Sequence, residues 1–327
     1  MSSPDFSPAP YSSFAVSGGG QVCPLPVVAP RERYWLHILL FAATLLSTTI
    51  VGAAMQMDFD RNVAFDVEGS VNMFASVWGH MGLLWQGLPF SLTLMGILLA
   101  HELGHYLAAM FHGVNASPPY FVPSPMLGTF GAFIRVRSQI YSKLVLFDIG
   151  ISGPLAGFIV LTPMAAIGLA YSKSIPGIGH QGVVQFGVPA LQWLLERAIF
   201  PGTHSADICL HPVARAAWVG MFATSMNLLP VGQLDGGHIL YAFFPNGHRA
   251  VSKAMCILLL GLGLLVGHFT GWWGWVLLAL VLWFLGRRHP AVYDDAALGP
   301  GRRKLGWLSV AMFALCFIYA PTSAGGL

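Results

Sequence analysis

Long apolar runs alternate with short polar segments along the chain, and this pattern predicts transmembrane helices. A helix that crosses a bilayer needs roughly 20 mostly apolar residues. The candidate stretches are residues 34–55, 83–112, 144–172, 212–230, 252–268, 272–286 and 305–320. The fourth stretch continues past a break rich in proline and glycine into LDGGHILYAFF. The sequence therefore predicts an all-α polytopic membrane protein with about seven transmembrane helices.

The distribution of lysine and arginine predicts how these helices are oriented. With the N-terminus inside, 12 of the 16 Lys and Arg residues fall in inner segments and the other four in outer segments. Because cytoplasmic loops carry an excess of basic residues, we expect a cytoplasmic N-terminus. The expected location is a cell membrane, with the chain as a multi-pass protein of a bacterial inner membrane.

Composition agrees with a lipid environment and argues against other classes of protein. Hydrophobic residues make up 55% of the 327 residues and charged residues only 9%, whereas a soluble domain carries about 25% charged residues. A net charge of +3 is too small to predict nucleic acid as a partner. The four cysteines form no CxxC pair, so neither a disulfide framework nor a thiolate metal site is expected.

The second apolar stretch contains ionisable residues, which are costly inside a membrane and are usually functional. They form the motif H-E-x-x-H, with His101, Glu102 and His105. Residues four apart share one face of a helix, so the two imidazoles can bind one zinc ion. Glu102 would then take a proton from a water that zinc has made acidic. His112 lies ~10.5 Å beyond His105 along the axis, too far to share that ion.

A catalytic zinc site takes three protein ligands, and the segment NLLPVGQLDGGHIL at 227–240 offers the best third ligand. Asp235 lies where proline and glycine break the helix, and broken backbone at membrane depth lines polar sites. His238 is a competing ligand, and Asp148 is a further option. Asn227 has two interpretations of nearly equal weight: an amide that stabilises an oxyanion or an interhelical hydrogen bond.

The segment at 113–143 is predicted to form a small re-entrant β-hairpin or loop. Four prolines between residues 118 and 125 forbid a helix, and GTFGAFIRVRS alternates apolar and polar residues as a strand does. A protease holds its substrate extended, and an exposed strand edge can pair with it. Gly128, Phe130 and Gly131 are therefore candidate substrate-binding residues, with structural packing as the alternative.

The paired pattern of His101-Glu102-x-x-His105 and Asn227-x-x-Pro230-x-x-x-x-Asp235-Gly236 resembles the site-2 protease family of intramembrane zinc metalloproteases. PPYFVPSPMLGTFGAFIRVRS at 118–138 resembles the segment that follows the zinc helix in bacterial and plastid members, and GISGPLAG at 150–157 resembles the family's third core helix. The resemblance implies Zn²⁺ on the two histidines and the aspartate, Glu102 as general base and Asn227 as an aid to the transition state. No loop is large enough for the PDZ domain that some members carry.

Four regions are expected: a flexible N-terminal tail (1–33), a first transmembrane helix with an outer loop (34–82), the metalloprotease core (83–240) and C-terminal transmembrane helices (241–327). The predicted function is hydrolysis of peptide bonds in membrane-spanning protein substrates within the lipid bilayer. Two alternatives stay open, a zinc-binding membrane transporter and an inactive protein that binds membrane helices. Glu102 distinguishes the protease from the inactive protein, and a path of ligands across the membrane would distinguish the transporter.

Overall fold

The computed structural model describes residues 14–16, 22–24, 33–65, 67–79, 81–181, 184–286, 292 and 296–324. Most of the predicted tail, residues 1–33, lies outside the described residues. Within it, strands β1 (Phe14–Val16) and β2 (Val22–Pro24) pair antiparallel. Arg31, Arg287 and Arg288, which contribute to the predicted orientation, also lie outside the described residues.

Helices make up most of the described structure. They are α1 (Tyr34–Asp60), α2 (Val67–Ser76), α3 (Leu84–Phe111), α4 (Lys143–Ala170), α5 (Ala190–Ile199), α6 (Pro212–Asn227), α7 (Asp235–Phe243), α8 (His248–Thr270), α9 (Gly274–Val281) and α10 (Pro300–Cys316). A π-helical turn, Leu282–Gly286, continues α9. Each of the seven predicted apolar stretches overlaps one of these helices.

Four helical segments are long and apolar enough to cross a membrane: Tyr34–Asp60, Met81–Phe111, Lys143–Ala170 and His248–Thr270. The prediction of a mostly helical membrane protein is thus confirmed. The other three predicted spans correspond to shorter helices: α6 has 16 residues, α10 has 17 and α9 has eight. The fourth predicted span is divided, since Pro230 has no backbone N–H to donate and Gly232 has a positive φ of 58°.

The strands form two-stranded antiparallel sheets. β3 (Tyr120–Ser124) and β4 (Gly128–Phe133) form a hairpin between α3 and α4, with a register shift between Val122 and Pro123. β5 (Lys173–Ser174) pairs with β7 (Ile208–Cys209), and β6 (Val184–Phe186) pairs with β8 (Thr322–Ala324). The predicted strands of the 113–143 segment are present and pack against α1. Their re-entry into the membrane remains a prediction.

Small residues let the central helices approach closely. α4 packs against α3, α6 and α7. A Cβ on Gly104 of α3 would overlap the carbonyl oxygen of Ser152 in α4, and a Cβ on Gly87 would overlap that of Thr49 in α1. Thr48 Oγ1 and Ser91 Oγ, 2.6 Å apart, add a buried hydrogen bond between α1 and α3. This close packing, typical of membrane helices, holds α3 between α1 and α4.

Candidate metal centre

Two histidines of α3 and the first residue of α7 converge in the interior. The Nε2 atoms of His101 and His105 are 3.1 Å apart, and each is 3.2 Å from Oδ2 of Asp235. Both imidazoles are buried. Because the histidines are one turn apart, α3 alone aligns them. The carboxylate of Asp235 reaches them because the chain leaves α6 at Asn227 and begins a new helix, α7, at Asp235.

The three side-chain atoms fit the coordination of a metal ion. Ligand atoms at 2.0–2.1 Å in a tetrahedron around zinc would be about 3.3 Å apart, close to the observed 3.1–3.2 Å. Nδ1 of His105 lies 2.7 Å from the carbonyl oxygen of Ile149. A carbonyl can only accept, so Nδ1 carries the hydrogen and the Nε2 lone pair faces the site, as in histidines that bind metals.

Glu102 lies beside these three residues and is itself buried. Its carboxylate interacts electrostatically with His101, His105 and Asp235, and it accepts a backbone hydrogen bond from Ile134. Ile134 directly follows β4. Glu102 therefore connects the face of α3 that carries His101 and His105 to the end of the hairpin.

Asn227, the last residue of α6, lies at the same place. Its Nδ2 is 3.2 Å from Nε2 of His101, the atom that faces the carboxylate of Asp235. The amide donor thus lies where the three candidate ligand atoms meet. The contact joins α6 and α3, as the interhelical interpretation requires. It also puts an amide donor within reach of a molecule bound beside the three side chains, as the oxyanion interpretation requires.

The structure places the competing ligands elsewhere. Asp148 forms a bidentate pair with Arg302 of α10, with two N–O distances of 2.7 Å, and its Oδ2 is 3.1 Å from Nε2 of His112. The Cβ of His238 lies against Gly150 of α4. In the described part of the chain, the one cluster of three metal-type side chains consists of His101, His105 and Asp235.

A row of glycines on α4 forms the wall that faces the histidines, and the sequence interpretation gave it no role at the site. A Cβ on Gly153 would overlap three atoms of the His105 ring, while one on Gly157 would lie 3.2 Å from the Cβ of His101. Gly150 faces the start of α7 in the same way. Spacings of three and four put these glycines on one helix face, a signal already present in GISGPLAG.

The three predicted substrate-binding residues have different environments. Gly128 is buried, and a Cβ there would lie 2.5 Å from Cα of Thr48 in α1. Its φ of 82° also requires glycine, so it serves the packing of the hairpin on α1 and is not on an accessible edge. Phe130 is 75% exposed at the register shift. Gly131 has open space beside it and a φ of 113°.

Comparison with known proteins yields one family and a set of plant relatives. The profile of peptidase family M50 matches residues 89–267, more than half of the chain and including most of α8. The probable zinc metalloprotease EGY1, chloroplastic, of Arabidopsis thaliana is 30% identical over 88% of this chain and 53% of its own length.

Two further relatives are similar to the same extent. EGY1 of Oryza sativa subsp. japonica is 34% identical over 88% of this chain and 50% of its own length. The probable zinc metalloprotease EGY2, chloroplastic, of Arabidopsis thaliana is 30% identical over 86% and 49%, respectively. The chain thus spans about half the length of these relatives.

Proposed function

The chain belongs to peptidase family M50, the site-2 protease family, and from this premise we propose that it is an intramembrane zinc metalloprotease. It would hydrolyse peptide bonds of membrane-spanning proteins, as in regulated intramembrane proteolysis. The observation that carries this proposal is the cluster of the buried His101 and His105 with the half-buried Asp235, beside which Glu102 is also buried. The names of the relatives, each a probable zinc metalloprotease, support it.

His101, His105 and Asp235 would hold the zinc ion and leave one coordination position open. When bound, zinc supplies Lewis acidity that polarises a carbonyl and allows water to lose a proton near neutral pH. The three ligands would carry one negative charge in total, from Asp235. The hydrogen bond from Nδ1 of His105 to Ile149 would hold the ring in the orientation that binding requires.

Glu102 and Asn227 would carry the proton transfer and the charge stabilisation. Glu102 takes the proton of the attacking water as general base and passes it to the leaving amine as general acid. The Nδ2 of Asn227, 3.2 Å from Nε2 of His101, donates to the oxygen on which negative charge develops.

The substrate would bind as an extended strand along β4. β3 pairs with one edge of β4, and the residue after β4 hydrogen-bonds Glu102, so a strand added at the other edge would run toward the site. Phe130 and Gly131 would contact it, because the first side chain is exposed and the second residue has no side chain in the way. Gly128 would support this surface from beneath, through its packing on α1.

The proposed arrangement has seven spans, with the cytoplasmic N-terminus and the cell membrane expected from the basic residues. The plant relatives are named chloroplastic, which describes those proteins. The proposed core is residues 83–240, preceded by a tail (1–33) and a first span (34–82) and followed by the C-terminal helices (241–327). The lipid bilayer and a protein substrate are its partners, and nucleic acid is not.

A zinc transporter and an inactive helix-binding protein are the alternatives. A transporter needs ligands along a path through the bilayer, whereas the described residues form one cluster of three potential metal ligands. An inactive protein needs no general base, whereas Glu102 is present beside the cluster.

Cleavage of a single-span substrate by the purified chain, with zinc content measured on the same sample, tests the proposal. Glu102→Gln should retain zinc and lose at least about 100-fold in cleavage rate, the usual scale of general base catalysis. A Glu102→Gln variant that cleaves at the wild-type rate would exclude the proposed role of this residue. A wild-type chain that binds zinc and cleaves none of several single-span substrates would favour the alternatives.

A further inference from the structure

A second polar site lies at the other end of α6 from the metal centre. A cavity of about 450 Å³ is bordered by the loops between α4 and α6, by the first turn of α6 and by residues at the ends of α8 and α10. Arg215 in its wall and Asn227 at the metal centre are 12 residues apart on α6, about 18 Å along the helix axis. The cavity is therefore separate from the metal centre.

Arg215 brings a cation to the cavity wall without a matching carboxylate. Its Nε donates to the carbonyl oxygen of Leu210 at 3.2 Å, and its guanidinium lies 5.3 Å and 5.9 Å from the ring centres of Phe65 and Phe186. In the part of the chain that the structure describes, no carboxylate pairs with it, and Asp58 acts on it only electrostatically. A half-buried cation of this kind can bind an anionic ligand.

Gln192 adds an unsatisfied acceptor to the same wall. The side chain is 4% exposed, and its Nε2 donates to Oε1 of Glu196 at 2.7 Å. Because the carboxylate accepts, the amide nitrogen must face it. The Gln192 Oε1 atom is then left without a hydrogen-bond partner. Buried amide oxygens are ordinarily hydrogen-bonded, so a ligand of this cavity would supply a donor.

The charges in the wall limit the ligand further. One arginine of the wall matches one negative charge. Glu196 is not in the wall itself, but its carboxylate accepts hydrogen bonds from two wall residues, Gln192 and Ser205, and would repel a dianion. Cys209 also lines the cavity. Burial raises the pKa of its thiol, so this side chain stays neutral and is a poor nucleophile. The chemistry therefore fits a singly charged oxyanion that also carries a hydrogen-bond donor.

The position of the cavity indicates where such an anion would come from. Arg215 is in the first turn of α6, Thr270 is the last residue of α8, and Tyr319 follows the end of α10. The ends of membrane helices lie at the level of the lipid headgroups. We propose that this cavity binds a glycerol phosphodiester, with the phosphate on Arg215 and a hydroxyl donating to Oε1 of Gln192. Phosphatidylglycerol and a free glycerophosphodiester share this chemistry.

Binding to the purified full chain in detergent, measured by native mass spectrometry and by melting temperature, tests the proposal without any cleavage assay. The probes are phosphatidylglycerol, phosphatidylcholine with the same acyl chains, and glycerophosphoglycerol. Phosphatidylcholine has the phosphodiester and no hydrogen-bond donor, so it should bind at least about 10-fold more weakly than phosphatidylglycerol. Stabilisation by glycerophosphoglycerol at equal concentration would identify a soluble ligand, and stabilisation by the lipid alone would identify a headgroup site.

Matched variants locate the binding. Arg215→Gln should abolish the preference for phosphatidylglycerol, while Arg197→Gln, which removes an exposed arginine of α5, should keep it. Gln192→Met removes the acceptor at similar size and should reduce the preference even if Arg215→Gln does not fold. Equal binding of the two lipids by the wild type, or an unchanged preference in Arg215→Gln or in Gln192→Met, would overturn the proposal.

Discussion

Replacing Gly153 by alanine should displace His105 and weaken metal binding. The new Cβ would lie closer than 3.0 Å to Nε2, Cδ2 and Cε1 of the ring, whereas ordinary van der Waals contact begins at 3.4 Å. The ring and the methyl group must therefore separate by more than 0.4 Å, the difference between these two limits. Backbone movement is restricted here, because α3 and α4 are already in contact at Gly104.

A shift of this size exceeds what a zinc site tolerates. Metal–ligand distances hold to within about 0.2 Å, and the hydrogen bond of His105 to Ile149 resists rotation of the ring out of place. We expect Gly153→Ala to weaken zinc binding by about 10–100-fold, the scale seen when groups that orient a ligand are changed. This corresponds to about 1.4–2.7 kcal/mol.

The assay is competition for zinc against a chelator of known affinity, with helix content and melting temperature as checks on folding. Gly157→Ala should have a smaller effect, since its Cβ would lie 3.2 Å from the Cβ of His101. Gly96→Ala, on α3 with open space beside it, should leave zinc affinity unchanged. Wild-type zinc affinity in a folded Gly153→Ala variant would refute the placement of α4 against His105.

Three further predictions concern the ligand set and its surroundings. Asp235→Ala should lose zinc and cleavage, and Asp235→Asn should bind zinc more weakly, while His238→Ala should keep the metal. Zinc analysis in which His238→Ala loses the metal and Asp235→Ala keeps it would contradict the ligand assignment. Arg302→Gln breaks the bidentate pair with Asp148, and at its partial exposure we expect a loss of about 1 kcal/mol, which for a chain of 327 residues lowers the melting temperature by about 1–2 °C. Burial raises the pKa of Glu196 above its ordinary 4.5, so the folded state binds this proton more tightly and the free energy of unfolding falls as the pH rises from about 4.5. Glu196→Gln should reduce that fall. If the variant and the wild type show the same difference in melting temperature between pH 4.5 and about 7.5, this prediction is contradicted.

Local features of this protein could be predicted from the sequence because they depend on residues close together in the chain. His101 and His105 share a helix face through the geometry of one turn, and the apolar runs determine where helices form. The prolines and glycines of the 113–143 segment exclude a helix there, and the strands appear as predicted. The break at Pro230 likewise ends α6 near its predicted position.

Only the tertiary structure decided which distant residues meet. The choice of Asp235 over His238 and Asp148 as the third member of the cluster depends on how α7 packs against α4, because that packing brings the Asp235 carboxylate to the histidines of α3. The pattern of hydrophobic residues carries no information about this packing. The role of Gly153 depends on the distance between two helices, and a glycine looks the same in sequence whether or not a ring lies against it. For Gly128, the sequence left substrate contact and structural packing as alternatives, and the structure buries this residue against Thr48 of α1, because the packing of the hairpin as a whole decides which of its residues are covered.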